Sequence, residues 1–117
     1  MELLATAEEL YNEAEKLKDA GQLEAAIAKL DQALEITPSH VLSHLTLAVL
    51  CGKVSKHEQA VKHAEQACQL DPSDAFNFTA LSVTYQRAYA GTGNTAYIRM
   101  AEDARDRAHA LQGRHQH

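Results

Sequence analysis

The stretch Leu23–Pro38, LEAAIAKLDQALEITP, recurs as His57–Pro72, HEQAVKHAEQACQLDP. Laid over one another, Ala26 meets Ala60, Ala33 meets Ala67 and Pro38 meets Pro72, each offset by 34 residues. A fixed period of this length marks a chain built from stacked copies of one helical unit, not one woven core. Within each copy the apolar residues return every three to four positions, the spacing of one helix face. The inner stripe of the first copy is Leu23, Ala26, Ile27, Leu30, Ala33 and Leu34; that of the second is Ala60, Val61, Ala64, Ala67 and Cys68. Each copy ends at a proline, which lacks an N–H and disfavours a helical residue before it.

Working outward, four more helices follow. The first spans about Thr6–Ala20, with Thr6 and Glu9 spaced for a capping box and Gly21 able to take the positive φ that ends a helix. A third runs from about Ser39–His40 to Gly52. Its apolar residues (Val41, Leu42, Leu45, Leu47, Ala48, Val49, Leu50, Cys51) occupy more than one face, so it is sandwiched or carries a second contact surface. A fifth covers about Ala75–Ala90, capped by Ser73 or Asp74, and Gly91-Thr92-Gly93-Asn94 breaks the chain after it. A sixth covers about Thr95–Gln112, with Tyr97, Met100, Ala104, Ala108 and Leu111 inward and charge elsewhere, as suits the last helix of an array. The expectation is an all-α chain.

Composition agrees. The chain has 117 residues, enough for one domain, and is rich in Ala, Leu, Glu, Gln and Lys, with only 5 Gly and 2 Pro. Net charge is −5, the wrong sign for a nucleic-acid-binding face. It is graded: residues 1–40 hold 9 acidic and 3 basic groups, net −6, and residues 75–117 hold 3 and 5, net +2. That gradient could steer a partner or favour head-to-tail association, although ordinary solvated helix faces also account for it. No apolar run reaches membrane-spanning length, and MELLATAEEL does not read as a signal peptide. Two cysteines without a signal peptide suggest a reducing, cytoplasmic setting.

These residues resemble the tetratricopeptide repeat family, whose pattern sets a large apolar residue, Leu-Gly and Tyr on a first helix, then Ala, an aromatic and a closing Pro on a second. Residues 7–40 supply Leu10, Ala14, Leu17, Gly21, Ala26, Leu30, Ala33 and Pro38. Residues 41–74 supply Leu47, Ala48, Cys51, Ala60, Ala64, Ala67 and Pro72. Residues 75–112 supply Phe78, Leu81, Ser82 and Tyr85 and a more distant second helix; 113–117 read as a frayed tail. Residues 1–117 thus read as a single domain. Glu13 and His44 depart from the family's apolar preference. The third unit is longer by six or seven residues, which would lengthen both its helices by about one turn each and pack Tyr89 against Tyr97.

The resemblance implies an α-solenoid of three helix-turn-helix units, six helices in a right-handed superhelix, with the first helices lining a concave groove. On that face would lie Tyr11 and Glu15 with Glu8 and Asp19, then Leu42, Leu45, Val49 and Lys53, then Phe76, Thr79, Val83 and Arg87. The groove would be acidic at one end, apolar in the middle and basic at the other. The family's carboxylate clamp needs Lys, Asn and Arg across the groove; here Tyr11, Glu15, Thr46, Phe76 and Ala80 stand there instead, so that mode is set aside. The implied function is a non-enzymatic scaffold for protein–protein interaction, holding an apolar or amphipathic peptide segment, or a homo-oligomeric assembly module packing through the same groove. The Met1–Ala5 segment could also cover part of it.

Chemistry finds little support. Gly91-Thr92-Gly93 follows a helix instead of preceding one, so it is no phosphate loop, and no nucleophilic triad signature occurs. Cys51 and Cys68 fall inward, where a thiol is inert. His40 and His44, spaced i,i+4, could share a metal but lack a third ligand; His57 and His63 lie on different faces of their helix; His115 and His117 form at most a weak metal-binding tail. No cofactor, resident metal, nucleic acid or membrane insertion is expected.

Overall fold

A computed structural model describes residues 5–115. Residues 1–4 of the Met1–Ala5 segment, and His117 of the tail's histidine pair, lie outside the described residues. Six helices follow in order: α1 (Ala7–Asp19), α2 (Leu23–Ile36), α3 (Val41–Lys53), α4 (His57–Leu70), α5 (Ala75–Thr92) and α6 (Ala96–His115). They pair as hairpins α1/α2, α3/α4 and α5/α6, which stack in that order, α3 seating on α2 and α5 on α4, with α3 also touching α5. Among the described residues there is no strand.

Local chemistry sets the boundaries. The Thr6 hydroxyl accepts from the Glu9 N–H at 3.1 Å and the Glu9 carboxylate accepts from the Thr6 N–H, the reciprocal pair expected at the first helix start. Asp74 caps α5 by accepting from the Phe76 N–H at 2.9 Å. Gly21 (φ 80°) ends α1, and the Gln22 N–H closes back onto the Leu17 carbonyl at 2.8 Å. One repeat later the same turn is made by Ser55 (φ 65°), with Lys56 N–H on the Cys51 carbonyl at 2.7 Å.

The core is made by the predicted stripes. Ala26, Ile27, Leu30 and Ala33 of α2 and Ala60, Val61, Ala64, Ala67 and Cys68 of α4 are buried. Leu30, Leu47 and Leu50 are fully enclosed. Alanine recurs because closely packed helix pairs leave no room for a larger side chain. Between units, Asn77 fastens α5 onto the end of α4 by donating to the Ala67 and Asp71 carbonyls.

The third unit differs from expectation in two ways. The chain does not break at Gly91: α5 runs on to Thr92 and turns only at Gly93 (φ 73°), giving 18 residues against 13 in α1 and α3. Gly91 stands within this helix where a side chain would not fit, because the His57 ring occupies the space a Cβ would need. Second, Tyr97 does not pack on Tyr89. It stacks on Tyr85, with centroids 5.9 Å apart, while Tyr89 stays exposed. Burial explains the choice, since Tyr85 belongs to the core between α4, α5 and α6, where its hydroxyl donates to Glu65 at 2.5 Å. α6 also continues through Gly113 to His115, past the expected end at Gln112.

Candidate functional site

The 34-residue period sets a grid on the first helix of each hairpin. Glu8, Leu42 and Phe76 are equivalent, as are Tyr11, Leu45 and Thr79, then Glu15, Val49 and Val83, then Asp19, Lys53 and Arg87. All twelve are exposed or half-buried, whereas the opposite stripes of the same helices are buried. The apolar members are the informative ones: Leu42 is 53 % exposed, Phe76 64 %, Val49 37 % and Val83 38 %. Since α3 and α5 touch, these four form neighbouring rows with half-buried Leu45. The second apolar face of α3 is therefore a surface, not a sandwiched one.

The α1 end is polar and partly self-satisfied. Glu15 pairs with Lys18 at 2.9 Å and accepts weakly from Thr46 across to α3 at 3.5 Å. That pairing raises the Lys18 ammonium above its ordinary value. Tyr11 stands with its ring 5.6 Å from His40. Lys53 and Arg87 mark the other edge and are exposed, as is Thr79.

The histidines arrange themselves differently from any metal pairing of His40 with His44. His40 is used locally: its Nδ1 meets the Ser43 hydroxyl at 2.7 Å and accepts from the Ser43 N–H, capping α3. His44 turns inward and is buried, with its Nε2 on the Pro38 carbonyl at 2.9 Å and its Nδ1 3.0 Å from the Nδ1 of His63. Burial, with His44 a smaller contributor, pushes His63 down to about 4. The hairpin geometry that joins residues 19 apart left no mark in the spacing of either helix alone. Among the described residues no three His, Cys, Asp or Glu side chains gather as metal ligands would.

Both cysteines are buried free thiols. Burial raises Cys51, and raises Cys68 to about 11 with help from Glu65, so neither sits in the electropositive setting of a nucleophilic thiolate. No described helix is long and apolar enough to cross a membrane.

Comparison with known proteins agrees with the architecture. The sequence profile of the tetratricopeptide repeat matches residues 42–74. The Small glutamine-rich tetratricopeptide repeat-containing protein 2 of Saccharomyces cerevisiae is 29 % identical over 96 residues. Those residues are 82 % of this chain but 25 % of that protein, so the chain spans about a quarter of its relative's length. Among solved structures, MamA superposes with a TM-score of 0.79 at 17 % identity, covering 95 % of this chain and 61 % of that one. YrrB, described as a TPR protein with an unusual peptide-binding site, gives 0.76 at 19 % identity, covering 97 % and 55 %. Identities this low speak for the fold alone, and the matched repeat speaks for residues 42–74. With its period, its stacked hairpins and its matched central unit, the chain has the fold of tetratricopeptide repeat proteins, and residues 42–74 match that repeat.

Proposed function

We propose that this chain is an interaction scaffold whose first-helix face holds an apolar or amphipathic segment of a partner protein. Tetratricopeptide proteins generally act through protein–protein contacts, and the finer reading rests on one observation. Leu42, Val49, Phe76 and Val83 are large apolar side chains exposed on adjacent rows of α3 and α5, with Leu45 between them. Contiguous apolar surface of this kind is the usual mark of a binding face. Supporting it, the flanks carry opposite charge, Glu8 and Asp19 on α1 against Lys53 and Arg87, which would orient a segment bearing complementary ends. The peptide-binding site named for YrrB makes peptide recognition on this fold a reasonable precedent.

The segment would anchor two or three apolar side chains between the α3 and α5 rows, with Tyr11, Glu15, Thr79 and Arg87 contacting its edges. Because the family's clamp residues are replaced, a free C-terminal carboxylate is not the expected anchor. The chain would then act by holding a partner, with no reaction of its own.

Selecting peptides from a random library on the wild-type chain provides a ligand for the test. Leu42→Glu and Phe76→Glu should each weaken the selected peptide by about tenfold or more while the helical circular-dichroism signal persists. Wild-type affinity in both variants would place the binding surface elsewhere. A second copy as occupant would show as a dimer in light scattering across a concentration series, lost in the same variants.

A further inference from the structure

The two ends of the stack are not alike. In α3 the stripe Ser43, Leu47 and Leu50, and in α5 the equivalent Asn77, Leu81 and Thr84, are buried where each helix seats on the hairpin before it. The same register positions in α1 are Glu9, Glu13 and Lys16, all exposed, with Glu13 paired to Lys29 at 3.2 Å. Seating those charges under another hairpin would strip their water, so α1 closes its end.

The opposite end is closed less completely: α6 is charged on its outer side, but beside Glu102 and Arg105 it also presents Ile98, Ala101 and Ala108. Two clefts of ≈ 470 and ≈ 300 Å³ run along α5 and α6 and share Ser82, Gln86 and Arg105, forming one trough. Ser82 is the register equivalent of Ala48, which in the preceding hairpin lies in the core under α5. Its hydroxyl is already satisfied by the Ala101 carbonyl at 2.8 Å, and the small residues Ala101 and Ala108 let a backbone approach closely. Tyr89 and Ile98 stand exposed at one end, 39 % and 42 %. Exposed Glu102 and Arg105 line the rim together, and Arg105 makes no ion pair among the described residues.

We propose that this trough is a seat for an amphipathic helix of a partner protein, docked as α3 and α5 dock on the hairpins before them. The interface the molecule already builds twice defines the occupant. It needs an uncharged stripe at i, i+4 and i+7, as in Asn77, Leu81 and Thr84, with polar edges that leave Glu102 and Arg105 hydrated. A second copy does not supply this through α1, whose stripe is charged. The seat is distinct from the peptide-binding face proposed above, meeting it only at Thr79 and Val83.

The probe is a fluorescein-labelled synthetic peptide of residues 74–92, the helix that fills the equivalent seat within the chain, titrated into the intact protein. Saturable binding is expected, with amide shift changes concentrated at Ser82, Gln86, Tyr89, Ile98 and Arg105. Ile98→Glu in the protein, or Leu81→Glu in the peptide, should weaken it by about tenfold, while Leu42→Glu in the protein leaves it unchanged. Absence of saturation, shifts confined to α1 and α3, an Ile98→Glu variant that binds like wild type, or self-association abolished by Ile98→Glu would each overturn the proposal. Because Ile98 lies outside the peptide-binding face and Leu42 outside the trough, either site can fail without the other.

Discussion

His44 and His63 face each other Nδ1 to Nδ1 at 3.0 Å across the α3/α4 hairpin. The Pro38 carbonyl accepts from His44 Nε2, so neutral His44 presents a bare Nδ1 and His63 donates to it. Burial first, and His44 beside it second, favour the neutral form of His63.

Stability should fall on acidification as a result. His63 takes its proton near pH 4 in the folded chain and near its ordinary 6.5 when unfolded. Between those values the unfolded chain holds more protons, so folding stability is full above about pH 6.5 and declines as pH drops towards 4. A 2.5-unit gap has a ceiling of about 3 kcal/mol. His63 is partly exposed, so about 1–2 kcal/mol is expected after screening. Urea midpoints at pH 7, 5.5 and 4.5 check it: His63→Gln should flatten the decline relative to wild type, and parallel curves would contradict the assignment.

The turn after α3 carries avoidable strain. Ser55 holds φ 65° at the position where the preceding turn uses Gly21, and both turns close with the same backbone bond. A left-handed side-chain-bearing residue costs about 1–2 kcal/mol, offset in part by the greater unfolded freedom of glycine. Ser55→Gly should therefore stabilise by about 0.5–1 kcal/mol, read as a raised urea midpoint with an unchanged m-value. A loss of stability would show that the Ser55 side chain contributes more than its backbone costs.

Gly91 and His57 should couple. An alanine in the last turn of α5 gains helix propensity of up to about 1 kcal/mol over glycine. The new Cβ, however, collides with the His57 ring, which must swing away. Gly91→Ala alone is expected near neutral, but stabilising by about 0.5–1 kcal/mol in a His57→Ala background. A double-mutant cycle measures this directly, and strict additivity would mean that the ring moves at no cost.

Much of the fold was legible because the repeat writes the same rules twice. Ala26, Ala33, Ala60 and Ala67 are buried as their 34-residue spacing requires, and the Thr6–Glu9 box and the closing prolines set helix ends by backbone chemistry alone. The exposure of Leu42, Val49, Phe76 and Val83 was legible too, because a helix cannot bury every face in a hairpin stack. Less legible was the third unit, where no second copy of its length exists for comparison.

The linear order of residues thus determined the period, the six helices and which stripe of each points inward, since these follow from local periodicity and capping. Tertiary structure alone decided which distant side chains meet. His63 pairs with His44, Tyr97 chooses Tyr85 over Tyr89, and the His57 ring claims the space beside Gly91, because each depends on the rotation and offset of one helix against another. It also decided that the two ends of the stack differ, with exposed Glu9, Glu13 and Lys16 at one and a cleft along Ser82, Gln86 and Arg105 at the other. That asymmetry appears only once the seating stripes of α3 and α5 are known to be buried.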